Sequence, residues 1–269
     1  MSNLLIYCLS LNNEDFDKIK SLNYIPVGLG DKEFSTEWTR DNLGENISYK
    51  NKYYGEYTFH YWFWKNQLPK IKKKTWVGFC AYRRFWANTF EKSEIKNKTD
   101  FLKEVPNEWC DNEVILGQNI YMDGWSKMKI IKHGLKSFFL NPKYFIKKNQ
   151  NLKLHFDSFH GFGNLDKAIE LLNDNDKNDF KLFMESKNYY NRGNMFITNN
   201  KELINEFYGT IFPWLERCEK IFGFNDSSYG NTRIYAFLME RFISYWFNKY
   251  SKVRVWPIIF YNINKKKIN

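Results

Sequence analysis

Long apolar runs are missing from this 269-residue chain. The best candidates, 57–64 and 255–264, stop far short of the ~18–20 residues needed to span a bilayer. Cysteine is scarce: Cys8, Cys80, Cys110 and Cys218 are far apart and form no Cys-x-x-Cys pair. That pattern argues against a disulfide framework or a zinc site and places the chain in a reducing cytosol. The opening residues, MSNLLIYCLSLNNED, carry no basic n-region and no small-residue cleavage site, so they read as a β-strand and not as a secretory signal. A Pro/Gly/Ser linker, an internal repeat, a P-loop, a GxGxxG turn, a nucleophile elbow and an HExxH pair are all absent. Membrane-spanning, secreted and fibrous classes are thereby set aside, and one mixed α/β domain over 1–269 is expected.

Aromatic and basic residues are abundant. Phe, Tyr and Trp make up 20% of the chain, and 41 Lys+Arg against 30 Asp+Glu leave a net charge of +11. Such a surface suits an anionic partner: nucleic acid, phospholipid or a phosphorylated small molecule. A plain compositional bias toward Lys, Asn and Ile accounts for part of it.

The apolar pattern predicts a β-α-β start from Leu4–Ser10, Asn13–Ser21 and Tyr24–Leu29, as in nucleotide-binding folds. Residues 31–52 read as a long functional loop, and 55–67 as a buried helix apolar on nearly all sides. A strand over 76–86 runs into Tyr82-Arg83-Arg84. A further strand is expected over 114–120. The stretch 121–152, with Lys127, Lys129, Lys132, Lys136, Lys143, Lys147 and Lys148, reads as a basic flap. Helices are predicted at 165–172, 178–184, 201–222 and 231–249, and strands at 191–199 and 253–261.

Two adjacent arginines at a strand's carboxyl end are costly without an anion or a pairing carboxylate, so Tyr82, Arg83 and Arg84 are expected to clamp a diphosphate, or one arginine salt-bridges internally, since alternation turns the two to opposite faces. Asn46, Ser48, Lys50 and Asn51 form a polar loop able to bond a base, ribose or sugar. Glu56 and His60, spaced i and i+4, would face one ligand, or His60 is a core histidine. His155, Asp157 and His160 form a general-base or metal cluster, or else an exposed loop. Asp226, Arg233, Glu240 and Arg241 supply ionic groups around an apolar helix, as a structural pair or as site carboxylates.

The succession Ile25–Gly28 (IPVG), Asp41–Asn51 (DNLGENISYKN), Gly55–Asn66 (GEYTFHYWFWKN), Val77–Trp86 (VGFCAYRRFW), Gly193–Ile197 (GNMFI) and Phe212–Arg217 (FPWLER) resembles one family. It is the capsule and exopolysaccharide glycosyltransferase family catalogued as a domain of unknown function. The resemblance covers nearly the whole chain. Ala81 departs from it, standing where the family usually has a histidine, and so do Tyr57 and Phe59, where smaller residues are usual. It implies a GT-A-like (Rossmann-like) α/β fold with a mixed central sheet and long C-terminal helices. Residues 1–125 would be the nucleotide-sugar half and 126–269 the acceptor side. The implied activity is transfer from a nucleotide sugar, UDP-linked and of furanose type in some relatives, to a cytoplasmic, growing polysaccharide or lipid-linked oligosaccharide. Peripheral contact with the inner membrane is compatible with that activity. Donor contacts are expected from Asn46, Ser48, Lys50, Asn51, Tyr82, Arg83 and Arg84. Substrate contacts are expected from Glu56, His60, Asn194, Arg233 and Arg241, and the catalytic base from Glu240, Asp226 or His160. Arginine in place of an Asp-x-Asp pair implies that no metal is required, with manganese still allowed. The rival expectation is a basic membrane- or nucleic-acid-binding protein without catalysis, although buried aromatics do not make an exposed stacking array.

Overall fold

The computed structural model describes residues 3–30, 32–91, 100–122, 150–224, 229–262 and 267–268. The expected basic flap falls mostly, and Asp226 wholly, outside them. The chain divides into two compact units: Met1–Gln118 with Arg192–Gly209 and Trp246–Asn269, and Asn119–Asn191 with Thr210–Tyr245.

The first unit is built on a mixed sheet. β1 (Leu4–Ser10) lies in its interior, parallel to β2 (Ile25–Gly28) and to the central strand β4 (Trp76–Ala81), and β2 in turn is parallel to β3 (Thr39–Arg40). Strands β1 and β4 are near-continuous apolar runs because both faces of the sheet are covered. On the other side of β4, β9 (Phe196–Thr198) runs antiparallel to it and to β6 (Val114–Gly117), and β10 (Val253–Trp256) runs parallel to β6. Because β9 is antiparallel, its entry lies at the end of the sheet where β4 finishes, which brings residues near 81 beside residues near 194.

The expected mixed α/β architecture with a central mixed sheet and long C-terminal helices is present: helices span Lys201–Phe222 and Ile234–Tyr250. Periodicity joined what the fold separates, at four places. The 76–86 run is a hairpin, with Tyr82-Arg83 as its turn and β5 (Arg84–Trp86) returning antiparallel beside β11 (Ile258–Asn262). The 114–120 and 191–199 runs each leave the main sheet midway: β7 (Asn119–Tyr121) and β8 (Tyr189–Asn191) pair with each other in the second unit. Pro257, which lacks an N–H, divides the last predicted strand into β10 and β11. The 55–67 helix begins earlier, at Asn51–Tyr54, breaks at Gly55, resumes over Tyr57–Trp62 and widens to a π turn at Phe63–Gln67.

Aromatic packing fills both units. In the first, Phe79 lies against Tyr7, Phe59, Phe63, His60 and Phe196. In the second, Phe180 packs on Trp214, Phe242 and Tyr245, while the Tyr245 hydroxyl donates to the buried Asp176 carboxylate at 2.8 Å. Aromatics buried this way form core, not a stacking surface for bases. Among the described residues no helix is long and apolar enough to cross a membrane.

Candidate active site

In the first unit, the carboxyl end of β4, the entry to β9 and the start of the 57–62 helix meet. Leu9, Glu56, Ala81, Arg84, Asn194 and Met195 line a small cavity there, of about 10 Å³. Arg84 is half-buried, because β5 alternation turns it and Trp86 to one side of the strand. Its cross-strand partner is Phe260, and its guanidinium sits 5.7 Å from that ring. Among the described residues no carboxylate pairs with it. Gly193, at φ +71°, brings its backbone so close that an added Cβ would lie 3.2 Å from Arg84 Nη1; glycine takes that left-handed conformation without strain. A second guanidinium, that of Arg192, lies 4.6 Å from the same Phe260 ring. Arg83 is exposed in the turn and covers Tyr82 at 4.8 Å. The two adjacent arginines thus differ: one faces the cavity and one faces solvent.

Asn194 links the site to the helix. Its Oδ1 accepts a hydrogen bond from the Tyr57 hydroxyl, and its Nδ2 points at Glu56 Oε2 from 3.4 Å. His60, one turn further on, is fully buried. Its Nδ1 lies 2.8 Å from the Tyr208 hydroxyl, and burial pushes its pKa down to about 3. A ring without solvent access does not touch a ligand directly, so His60 is a core histidine behind the site wall.

A second cavity, of about 580 Å³, opens beyond the ends of β2 and β3 and is lined by Gly30, Lys32, Phe34, Arg40, Ser48 and Tyr49, among others. Arg40 is fixed across it, donating to the carbonyls of Gly30 at 2.7 Å and Lys32 at 3.1 Å and lying 4.6 Å from the Phe34 ring. Asn46 Oδ1 accepts from the Ser48 backbone and hydroxyl at 3.1 and 2.8 Å. The Asn51 amide donates to Gly55 O and Thr58 Oγ1. Lys50 Nζ lies 5.7 Å from the Tyr54 ring. Asn46 and Asn51 therefore shape the loop, while Ser48 reaches the cavity. Asp41, beside Arg40, is buried, and burial raises its pKa above the usual carboxylate range, opposed by Thr58.

The second unit holds the remaining candidates. Arg241 is buried 3.8 Å from the Tyr190 ring; it donates to Glu240 Oε2 at 2.6 Å and lies 3.3 Å from His155 Nδ1. Glu240 is thereby the counter-ion of its neighbour. His160 is buried at the end of the Leu152–His160 helix, not on an exposed loop. Its ring stacks on Phe237 at 4.0 Å, and its Nδ1 donates to the Gly230 carbonyl at 3.2 Å. Burial lowers its pKa to about 3, too low for a base working near neutrality. Asp157 is pushed up to about 6, again by burial. Arg233 donates to the Tyr229 hydroxyl and lies over that ring.

Sequence reasoning missed Arg40 and Arg192. Arg40 opens the RDNLGEN stretch and Arg192 directly precedes Gly193, so each was an arginine beside a turn former. A divalent cation fits the first-unit cavity poorly. Its donor set offers Glu56 as carboxylate against the cationic Arg84, and among the described residues no group of three or more His, Cys, Asp or Glu is placed to hold a metal.

No curated protein sequence matches the chain. The apo structure of the bifunctional glycosyltransferase WbbM shares the fold, with a TM-score of 0.58 over 96% of this chain at 17% identity. The match takes in 45% of the WbbM chain, so this chain spans less than half of that protein. The sequence model of the family described as domain of unknown function DUF4422 matches residues 6–252. The chain belongs to that family.

Proposed function

We propose that the chain is a glycosyltransferase that takes a sugar from a nucleotide-sugar donor, UDP-linked, and adds it to a growing surface polysaccharide. The fold shared with a glycosyltransferase supports the class. The observation that carries the reading is Arg84: half-buried, without a carboxylate partner among the described residues, and set with Arg192 around Phe260 at the sheet end where ligands of α/β folds collect. Breaking the glycosidic bond leaves a new negative charge on the diphosphate, and fixed guanidinium groups stabilise that charge in the transition state. They do what a metal does in related chemistry, so transfer is expected without one. The 580 Å³ cavity, with the exposed Tyr49 ring, Ser48 and Arg40, offers the stacking face and hydrogen-bonding groups that a nucleoside needs.

Calorimetric titration with UDP, GDP, CMP and their sugars, each with EDTA and with manganese, tests this. Selective UDP binding that survives EDTA is the expected result. Binding that requires manganese removes the arginine clamp, and binding of none of the nucleotides overturns the reading. Arg84→Ala is expected to weaken UDP binding about 10–100-fold, the loss of one hydrogen-bonded charge.

A further inference from the structure

We infer that Glu56 is the general base of the transfer; the inference rests on the transferase reading above. Glu56 precedes the 57–62 helix and reaches the same small cavity as Arg84. The cavity, of about 10 Å³, has room for roughly one water-sized oxygen. An acceptor hydroxyl is such a group. The carboxylate and the guanidinium do not pair with each other, although both are half-buried and line one space. Opposite charges left apart around an oxygen-sized gap are arranged for a group that lies between them.

Asn194 fixes the carboxylate. The Tyr57 hydroxyl donates to Asn194 Oδ1, which leaves the amide nitrogen facing Glu56. An amide N–H needs an acceptor, and the charged carboxylate is the better one. Glu56 is thus presented as a proton acceptor. The other candidates for this task are less suited or lie elsewhere: Glu240 is bonded to Arg241 at 2.6 Å, the buried His160 has its pKa lowered to about 3, and Asp226 lies outside the described residues.

The step balances without a further reactant. Glu56 Oε takes the acceptor hydroxyl proton, and the acceptor oxygen forms a bond to the anomeric carbon of the donor. The bond from that carbon to the diphosphate oxygen breaks, and its electron pair leaves with the nucleoside diphosphate, facing Arg84. The sugar is inverted, and Glu56 afterwards returns its proton to solvent.

The test uses the full chain and needs no acceptor, because water serves as one. UDP binding is measured by calorimetry. UDP release is measured from UDP-glucose, UDP-galactose, UDP-galactofuranose and UDP-N-acetylglucosamine between pH 5 and 9. Glu56→Gln is expected to bind UDP within twofold of the unmodified chain, and its release rate falls ~10²–10⁴-fold, the usual contribution of a positioned base. The acidic limb of the rate profile disappears with it, and Glu56→Asp restores part of the rate. Asn194→Ala, a positioning variant, is expected to keep UDP binding, lose less rate and displace that limb. Release by Glu56→Gln at an undiminished rate overturns the base assignment. So does UDP binding with no release from any donor of the panel. Failure of the unmodified chain to bind any of UDP, GDP, CMP and their sugars overturns the transferase reading itself and is told apart by the calorimetry alone.

Discussion

Lowering the pH should cost this protein stability through histidines that fold away neutral. His60 has no exposed surface, and burial takes its pKa from 6.5 to about 3. Its folded value lies below its unfolded one, so the unfolded chain takes the proton first. Stability is undiminished above about pH 6.5, falls as pH drops below that, and stops falling below about pH 3. At pH 5 the unfolded imidazole is about 97% protonated and the folded one about 1%, a loss of about 2 kcal/mol relative to pH 8. His160, also near 3, adds a similar amount. Asp157, raised to about 6, works the other way: below that pH the folded state takes up a proton before the unfolded state does, returning about 1 kcal/mol at pH 5. The net loss from these three groups is about 3 kcal/mol. Urea denaturation of the unmodified chain and of His60→Gln at pH 8, 6.5 and 5 isolates the first of them. The variant starts lower, having lost the Tyr208 bond, and the gap between the two should narrow by about 2 kcal/mol from pH 8 to pH 5. A gap constant to within about 0.5 kcal/mol would mean that His60 takes up its proton without unfolding, and the argument from burial would fail.

Three other perturbations have defined outcomes. Gly193→Ala forces a side chain into the left-handed region and against Arg84; a loss of about 1–2 kcal/mol in urea denaturation is expected, together with weaker UDP binding than that loss explains. Arg241→Ala leaves Glu240 without its counter-ion and vacates the face of Tyr190, so about 3–5 kcal/mol should be lost, and Glu240→Gln in the same chain should recover part of it. Phe180→Ala opens a cavity among Trp214, Phe242 and Tyr245, with an expected loss of about 3–5 kcal/mol and a lower melting temperature by calorimetry.

Periodicity located the elements well wherever an element is long and one-sided. Leu4–Ser10 and Lys201–Phe222 are found at the expected residues because their apolar patterns run unbroken from end to end. It failed where two short strands share one apolar run, as at Gln118, Arg192 and Pro257. A local pattern reports burial but does not say which neighbour supplies it. The same limit explains the site. Arg84 was legible as a charge out of place at a strand end. The different fates of Arg83 and Arg84 depended on a two-residue turn that alternation alone does not reveal. His60 lay within reach of the sequence as a core histidine, since its neighbours are aromatic on every side. For His155, Asp157 and His160, the loop alternative to a general-base or metal cluster came from Gly161 and Gly163 close behind, yet those residues belong to a helix that ends at Gly161.

The bonds that hold Asn194 to Tyr57 and Glu56 join positions 137 and 138 residues apart, and Arg84 meets Phe260 across a still longer span. Contacts of that separation carry a loop-closure cost that local contacts do not. During synthesis, therefore, a growing chain has Glu56 and Arg84 long before it has the residues that complete their surroundings. The proposed clamp of Arg84 and Arg192 around Phe260 is complete only once Phe260 has left the ribosome. A ligand that recognises only the finished arrangement then acts as a late-arriving brace, stabilising the folded chain in proportion to the logarithm of its concentration.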